Sequence, residues 1–210
     1  MTATRLPTTT SIALIAVFAA LIAASTLAPE IALGPVPLSL QTFAIVVCGL
    51  VLGAWRGAAA VGLYVAVGLA GAPIFSNGRG GFAVLVGPTG GYLIGMIAAA
   101  FVVGLLTQMI RRTGRLTFWR LLGPAVVSIP VVYAIGVPYL SWRTGLPLVL
   151  PPAGCSGEEC VTAVSAGVLP FIVGDLIKLV AAAGVAALIH RAYPMVMPAP
   201  RADVEAPTTA

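Results

Sequence analysis

Long apolar runs recur along almost the whole chain, from about residue 10 to about residue 190. A helix that spans a bilayer needs about 20 mainly apolar residues, and lipid admits only helices or closed barrels, whose peptide groups are paired internally. These runs are continuous rather than alternating, so they predict helices. With 60% hydrophobic and 8% charged residues, the composition excludes an ordinary soluble domain. The sequence therefore predicts an all-α integral membrane protein.

Six runs are interpreted as the transmembrane helices of a single domain, residues 1–194. They lie at about residues 10–28, 39–54, 57–73, 88–110, 121–142 and 168–190. The fifth contains Pro130 and Pro138, which bend a helix and often mark a reshaped cavity, although a simple packing kink is the alternative. Residues 195–210 have too little apolar content to pack, so a disordered cytoplasmic tail is expected.

With six spans both termini lie on the same side of the membrane, and the loop charges indicate which side. One face then carries eight arginines, whereas the other carries only Arg79 and Arg143. The eight are Arg5, Arg56, Arg111, Arg112, Arg115, Arg120, Arg191 and Arg201. The positive-inside rule makes their face cytoplasmic, so both termini are expected there. Because these arginines are scattered among short loops, membrane lipid explains the net charge of +5 better than nucleic acid does.

The loops on the opposite, outer face are long and unusual in composition. Residues 29–38 are rich in proline, residues 74–91 contain six glycines, and residues 143–167 form the third loop. These loops also carry Ile, Val, Leu and Phe, which is not typical of unstructured linkers. Since long ordered loops over a bundle commonly act as lids, we expect them to cap an outward-facing pocket.

Asp175 is the only carboxylate inside a predicted span, and Lys178 is the only lysine or arginine there. Their i, i+3 spacing places them on one face of the last helix, about two to three turns from its outer end. Burying two charges costs several kcal/mol, so a ligand pocket is a better interpretation than a purely structural ion pair. A proton relay would need further acidic or histidine partners, and an intramembrane enzyme would need a nucleophile or metal cluster.

Four blocks of sequence carry a resemblance to a known family. They are VPLSLQTF at residues 36–43, LVLGAWRGAAAVGLYVAVGLAGAPIF at 50–75, GPTGGYLIG at 87–95 and GDLIK at 174–178. In this order they are similar to the BioY family, the biotin-binding (S) subunits of energy-coupling factor (ECF) transporters. The resemblance extends from about Leu14 to Ala192. It implies high-affinity capture of biotin for import across the cytoplasmic membrane of a prokaryote, and no catalysis by this chain.

The resemblance also implies where biotin binds. The pocket is expected to face outward beneath the first and third outer loops, with Asp175 and Lys178 as ligands. Asn77, Gln41 and Tyr92 lie in or beside the matching blocks and carry polar groups suited to a ureido ring or a valerate chain. Alternatively, Gln41 satisfies loop carbonyls, Tyr92 is an interfacial aromatic and Asn77 is a turn residue.

Energy coupling requires partner proteins, because the chain lacks a Walker A sequence, and no cofactor is expected in the chain itself. The resemblance implies a transmembrane coupling (T) subunit and ATPase subunits that use ATP. In that family, small residues of the first helix contact the T subunit, and Ala16, Ala20 and Ala24 form such a stripe here. Packing within the chain is the alternative for this stripe. For the function, the alternatives are an S component for another vitamin and a proton-coupled secondary carrier.

Two of the three cysteines, Cys155 and Cys160, lie in the third outer loop. An oxidising environment there favours a disulfide between them. Zinc binding by both thiolates and the neighbouring acids is the weaker alternative, so no metal site is expected. Cys48 lies inside an apolar run and is interpreted as a packing residue. The cysteine loop is not part of the family pattern, so we expect it to be peripheral to the pocket.

Overall fold

The computed structural model describes residues 7–26, 31–32, 37–151, 160–194 and 196–197. This part of the chain is mainly helical. Its helices are α1 (Thr8–Ser25), α2 (Gln41–Leu52), α3 (Ala54–Leu69), α4 (Gly90–Arg112), α5 (Phe118–Thr144), α6 (Ala163–Gly167) and α7 (Ile172–Ala192). Between α1 and α2, two-residue strands β1 (Ile31–Ala32) and β2 (Pro37–Leu38) pair in antiparallel fashion. Short 3-10 turns, Ser76–Gly78 and Phe82–Val84, lie between α3 and α4. The predicted all-α class is confirmed.

Four helices, α1, α4, α5 and α7, are long and apolar enough to cross a membrane. Helices α2 and α3 are also apolar but contain only 12 and 16 residues, about 18 and 24 Å at 1.5 Å per residue. Each predicted span overlaps one of these six helices, with its ends displaced by two to four residues. The membrane character is thus confirmed, and the count of six spans stays a prediction.

The short lengths of α2 and α3 follow from a tight turn at Gly53. Its φ of 81° is a left-handed conformation, which favours glycine. Gly53 is the single residue between the end of α2 and the start of α3. The two helices then pack closely, because a Cβ atom on Gly57 would lie 3.1 Å from the Cα of Gly49. On α4, a Cβ on Gly104 would clash with the backbone at Gly53. Small residues therefore bring three helix backbones together at this point.

Helix α2 is central in the bundle and α1 is peripheral. Every residue of α2 from Ala44 to Leu52 is buried. On α1, by contrast, only Ala19 and Ile22 are buried within the helix. Most of α1 therefore lies exposed at the surface of the bundle.

Helix α5 continues without a break through Pro124, Pro130 and Pro138. Glycines of α4 allow α5 to pack closely alongside, since a Cβ on Gly95 would lie 2.9 Å from the carbonyl oxygen of Val132. The pairing of α4 with α5 places the middle of α5 against the start of α7. These three helices provide nine of the nineteen residues that line the candidate site.

The structure describes parts of the loops near the cavity and of the tail. The third outer loop contains the short helix α6, whereas most of the first loop, 29–38, lies outside the described residues. The disordered tail at residues 195–210 stays a prediction. Within it Met197 is buried, 1% exposed, and Arg111 donates hydrogen bonds to the carbonyls of Met197 (2.8 Å) and of Pro194 just before the tail (2.7 Å). Residues 198–210 lie outside the described part of the chain.

Candidate functional site

A cavity opens at the end of the bundle where α2, α4 and α7 begin. Its space not filled by atoms is about 780 Å³, including the open solvent at its mouth. Its apolar wall comes from side chains such as Phe75, Leu93 and Phe171. Four of the five predicted ligand residues line it: Gln41, Tyr92, Asp175 and Lys178.

The charged pair lies in the first two turns of α7 and faces this cavity. The Lys178 Nζ lies 3.3 Å from Oδ1 of Asp175, and the side chains are 12% and 8% exposed respectively. The other carboxylate oxygen, Oδ2, accepts a hydrogen bond of 2.7 Å from the hydroxyl of Tyr133 on α5. An ammonium has three donors, and Asp175 is the one hydrogen-bond partner of Lys178 among the described residues. Lys178 can therefore also donate to an anionic ligand.

A second cation, Arg79, lines the cavity from the loop between α3 and α4. Its side chain is exposed and its Nε donates to the carbonyl of Ser76 at 3.1 Å. Among the described lining residues, two cations therefore face a single carboxylate, Asp175. The resulting excess of one positive charge favours a ligand that carries one negative charge.

Gln41 begins α2 and is buried beside the cavity. Its Nε2 donates to the hydroxyl of Tyr64 at 2.9 Å, and that hydroxyl donates to the carbonyl of Ile74 at 3.0 Å. Gln41 thus supports a loop carbonyl through Tyr64, which is the alternative role that the sequence left open. Its amide oxygen accepts no hydrogen bond from the described residues, so it can still contact a ligand.

Tyr92 forms part of the cavity wall and holds neighbouring elements together. It is 5% exposed, which disfavours the interpretation as an interfacial aromatic. Its hydroxyl donates to the carbonyl of Gly167 at 3.1 Å, and its ring packs edge-on against Tyr133. Glycine is required opposite this ring, since a Cβ on Gly136 would lie 2.6 Å from it. Tyr92 therefore fixes α5 and the α6–α7 connection around the site.

Asn77 is not among the residues that line the cavity. It is exposed and adopts a left-handed conformation, with φ 60° and ψ 31°. Asparagine tolerates this conformation better than most residues, so the geometry favours the turn interpretation. A direct role in ligand binding stays a prediction, and it would require movement of the loop that carries Ser76 and Arg79 towards the cavity.

Sequence reasoning missed Tyr133 and Thr89. Tyr133 lies 42 residues from Asp175 in an apolar, proline-containing run, so no local pattern indicated their hydrogen bond. Thr89 lies in the GPTGG segment, and its hydroxyl oxygen is buried without a hydrogen-bond partner in the described structure. A lone hydroxyl between glycines was the available signal for Thr89.

Of the three cysteines, Cys48 and Cys160 lie within the described residues. Cys160 belongs to a disulfide, whereas Cys155 lies outside the described residues, so their pairing stays a prediction. Cys48 is free and fully buried in the core, as a packing residue should be. Within the described ranges, no three His, Cys, Asp or Glu side chains form a group that could hold a metal ion.

The predicted stripe of small residues lies on the outward face of α1. Ala16, Ala20 and Ala24 are all exposed, whereas Ala19 is buried against the bundle. The alternative of packing within the chain is therefore disfavoured for these three alanines. They leave a smooth helix surface that a partner helix can approach closely.

Comparisons with known proteins give a consistent relationship. The BioY family model matches residues 1–195. The biotin transporter BioY of Rhodobacter capsulatus is 40% identical over 188 residues, covering 88% of this chain and 95% of the relative. Its counterpart from Thermotoga maritima is 41% identical over 157 residues, covering 75% and 82% respectively.

A solved structure agrees with these sequence relationships. The crystal structure of the S-component for biotin from an ECF-type ABC transporter matches with a TM-score of 0.76 and 26% identity. The match covers 89% of this chain and 95% of that one. The agreement of family model, relatives and fold establishes that this chain belongs to the BioY family.

Proposed function

We propose that this protein captures biotin and serves as the substrate-binding S component of an ECF-type transporter. The observation that carries the proposal is the buried cluster of Asp175, Lys178 and Tyr133 at the cavity, within a chain that matches the BioY family over residues 1–195. Its function is transport rather than catalysis.

The chemistry of the cavity suits biotin. Biotin combines a ureido ring that donates and accepts like an amide, an apolar body and a terminal carboxylate. Asp175 can accept hydrogen bonds from the ureido N–H groups, and Lys178, 3.3 Å away from its carboxylate, can donate to the ureido oxygen. Arg79 provides charge for the carboxylate of biotin. The apolar walls accommodate the remainder of the molecule. Gln41 and Tyr92 complete the set of polar lining residues, and Asn77 joins it if its loop closes.

The proposed topology is one domain of six membrane-spanning helices, α1 to α5 and α7, with both termini in the cytoplasm. The excess of arginines at the end opposite the cavity supports this orientation. The cavity then faces outward beneath the loops. Although α2 and α3 are short, α2 is largely buried in the bundle, and a short span is accommodated by local thinning of the bilayer at modest cost.

Coupling to ATP hydrolysis is proposed to occur through a T subunit that binds the exposed stripe Ala16, Ala20 and Ala24. A cysteine at Ala20 should crosslink to that subunit in the assembled transporter. A cysteine at Ala19, which is buried and lies about 100° around α1 from Ala20, is the matched control and should not. Equal crosslinking at both positions, or at neither, would count against this contact.

Equilibrium binding of labelled biotin to the purified protein in detergent tests the central proposal. Saturable binding that unlabelled biotin displaces, and that thiamine and riboflavin do not, is the expected result. Displacement by another vitamin would assign a different ligand to the same cavity. Uptake that follows a proton gradient in proteoliposomes without ATPase subunits would instead indicate a secondary carrier.

A further inference from the structure

The segment GPTGG, residues 87–91, is tightly packed where the chain enters α4. A Cβ on Gly90 would clash with the carbonyl of Leu85, and one on Gly91 would clash with the side chain of Tyr139. The hydroxyl of Tyr139 also donates to the carbonyl of Leu85 at 2.7 Å, which ties this segment to α5. Close packing therefore explains why both positions are glycine. It also fixes the position of the residue that lies between Pro88 and Gly90.

That residue, Thr89, is the N-cap of α4, but it does not act as one. An N-cap threonine normally accepts a hydrogen bond from a backbone N–H of the first turn. Here the backbone is helical, with φ −91° and ψ −6°, and the side chain makes no capping bond. Stabilisation of the helix end therefore does not account for the hydroxyl.

Thr89 nevertheless lines the cavity, and its Oγ1 is buried without a hydrogen-bond partner among the residues described. A buried polar atom without a partner is unfavourable, and such an atom at the wall of a ligand cavity is completed when a ligand provides the partner. The start of α4 beside it favours negatively polarised atoms.

We propose that Thr89 is a ligand-contact residue whose hydroxyl donates a hydrogen bond to an oxygen atom of the bound biotin. This inference rests on the proposed function, since it assumes that biotin occupies the cavity. It adds a neutral donor to the charged donors of Lys178 and Arg79. It also separates two roles within the GPTGG segment: the glycines permit close packing, and the threonine contacts the ligand.

The test compares biotin titrations and ligand-free thermal unfolding of the purified protein and three variants. Thr89→Val keeps the shape and removes the hydroxyl, so the Kd for biotin should rise about tenfold. Because an unpartnered buried group is removed, the ligand-free unfolding temperature should stay the same or rise. Thr89→Ser should bind biotin within about threefold of the wild type, because the donor is retained.

Thr107→Val is the matched control, as it makes the same substitution further along α4. The Thr107 hydroxyl is buried and already donates to the carbonyl of Val103 at 2.7 Å. This variant should bind biotin like the wild type. Wild-type affinity in Thr89→Val, or weaker binding together with a lower ligand-free unfolding temperature, would overturn the inference. A wild-type protein that does not bind biotin would overturn the proposed function itself, and that titration reveals it separately.

Discussion

The two ends of the helix bundle use similar side chains in different ways. At the cavity end, Lys178 bonds to the carboxylate of Asp175, and its remaining donors have no partners in the described structure. At the opposite end, Arg111 donates to the backbone carbonyls of Pro194 and Met197, and Arg56 donates to that of Val196 at 3.1 Å. The first cation is poised for a ligand, whereas the two arginines bind the chain to itself.

This difference shows that the partner of a charge, rather than its burial alone, indicates its role. Backbone carbonyls are fixed acceptors, so a cation whose terminal nitrogens are bonded to them, as in Arg56 and Arg111, contributes to the architecture. Arg79 differs, because only its Nε donates to a backbone carbonyl among the described residues. A carboxylate can replace one of its hydrogen bonds with a hydrogen bond to a ligand. A cation beside it retains donors that are available to the same ligand. Polar groups at the cavity end should therefore control affinity, and those at the opposite end should control stability.

The largest expected effect is that of Asp175→Asn. The substitution removes the countercharge of Lys178 and an acceptor that both Tyr133 and the ligand use. Since removing one member of a desolvated charge pair leaves the other unpaired, biotin affinity should fall by about 100-fold. Isothermal titration of the purified variant measures this loss. An unchanged Kd would mean that the pair is structural and that the two ends do not differ as described.

Tyr133→Phe should have a smaller effect of the same kind. It removes the 2.7 Å hydrogen bond to Asp175 but keeps the ring that packs against Tyr92. The bond orients the carboxylate of Asp175 without ligand, so only part of the about 1.5–3 kcal/mol of a hydrogen bond to a charged group should appear in binding. Affinity for biotin should therefore fall by about tenfold. The unfolding temperature without ligand is the control. If it falls while the Kd stays constant, Tyr133 supports the fold and not the site.

Arg111→Met tests the opposite end. It keeps a long apolar stem but removes both hydrogen bonds to the segment after α7, so the unfolding free energy should fall by about 1–3 kcal/mol. The biotin Kd should stay within about twofold, because no residue is shared with the cavity. Thermal unfolding and biotin titration of the same preparation provide both values. A large loss of affinity would show that the two ends are coupled.

The sequence predicted helices well because a continuous apolar run has few alternatives in lipid. It also identified Asp175 and Lys178, since charges stand out within such a run. It predicted the second span, residues 39–54, as the shortest of the six, but it did not predict that α2 ends at Leu52, because the turn at Gly53 involves contacts with α4 that are distant in sequence. The bond from Tyr133 to Asp175 joins two helices, so only the packed structure could reveal it.

The smallest expected effect is that of Asn77→Gly, and it addresses the loop above the cavity. Glycine adopts the left-handed conformation of this position readily, so the turn and the unfolding temperature should be preserved while the amide is lost. If the loop closes on the ligand, biotin affinity should fall by about fivefold, a fraction of what a fully buried contact provides. The titration used for Asp175→Asn measures it. An unchanged Kd would show that Asn77 acts only in the turn and that the ligand is bound by the residues that already line the cavity.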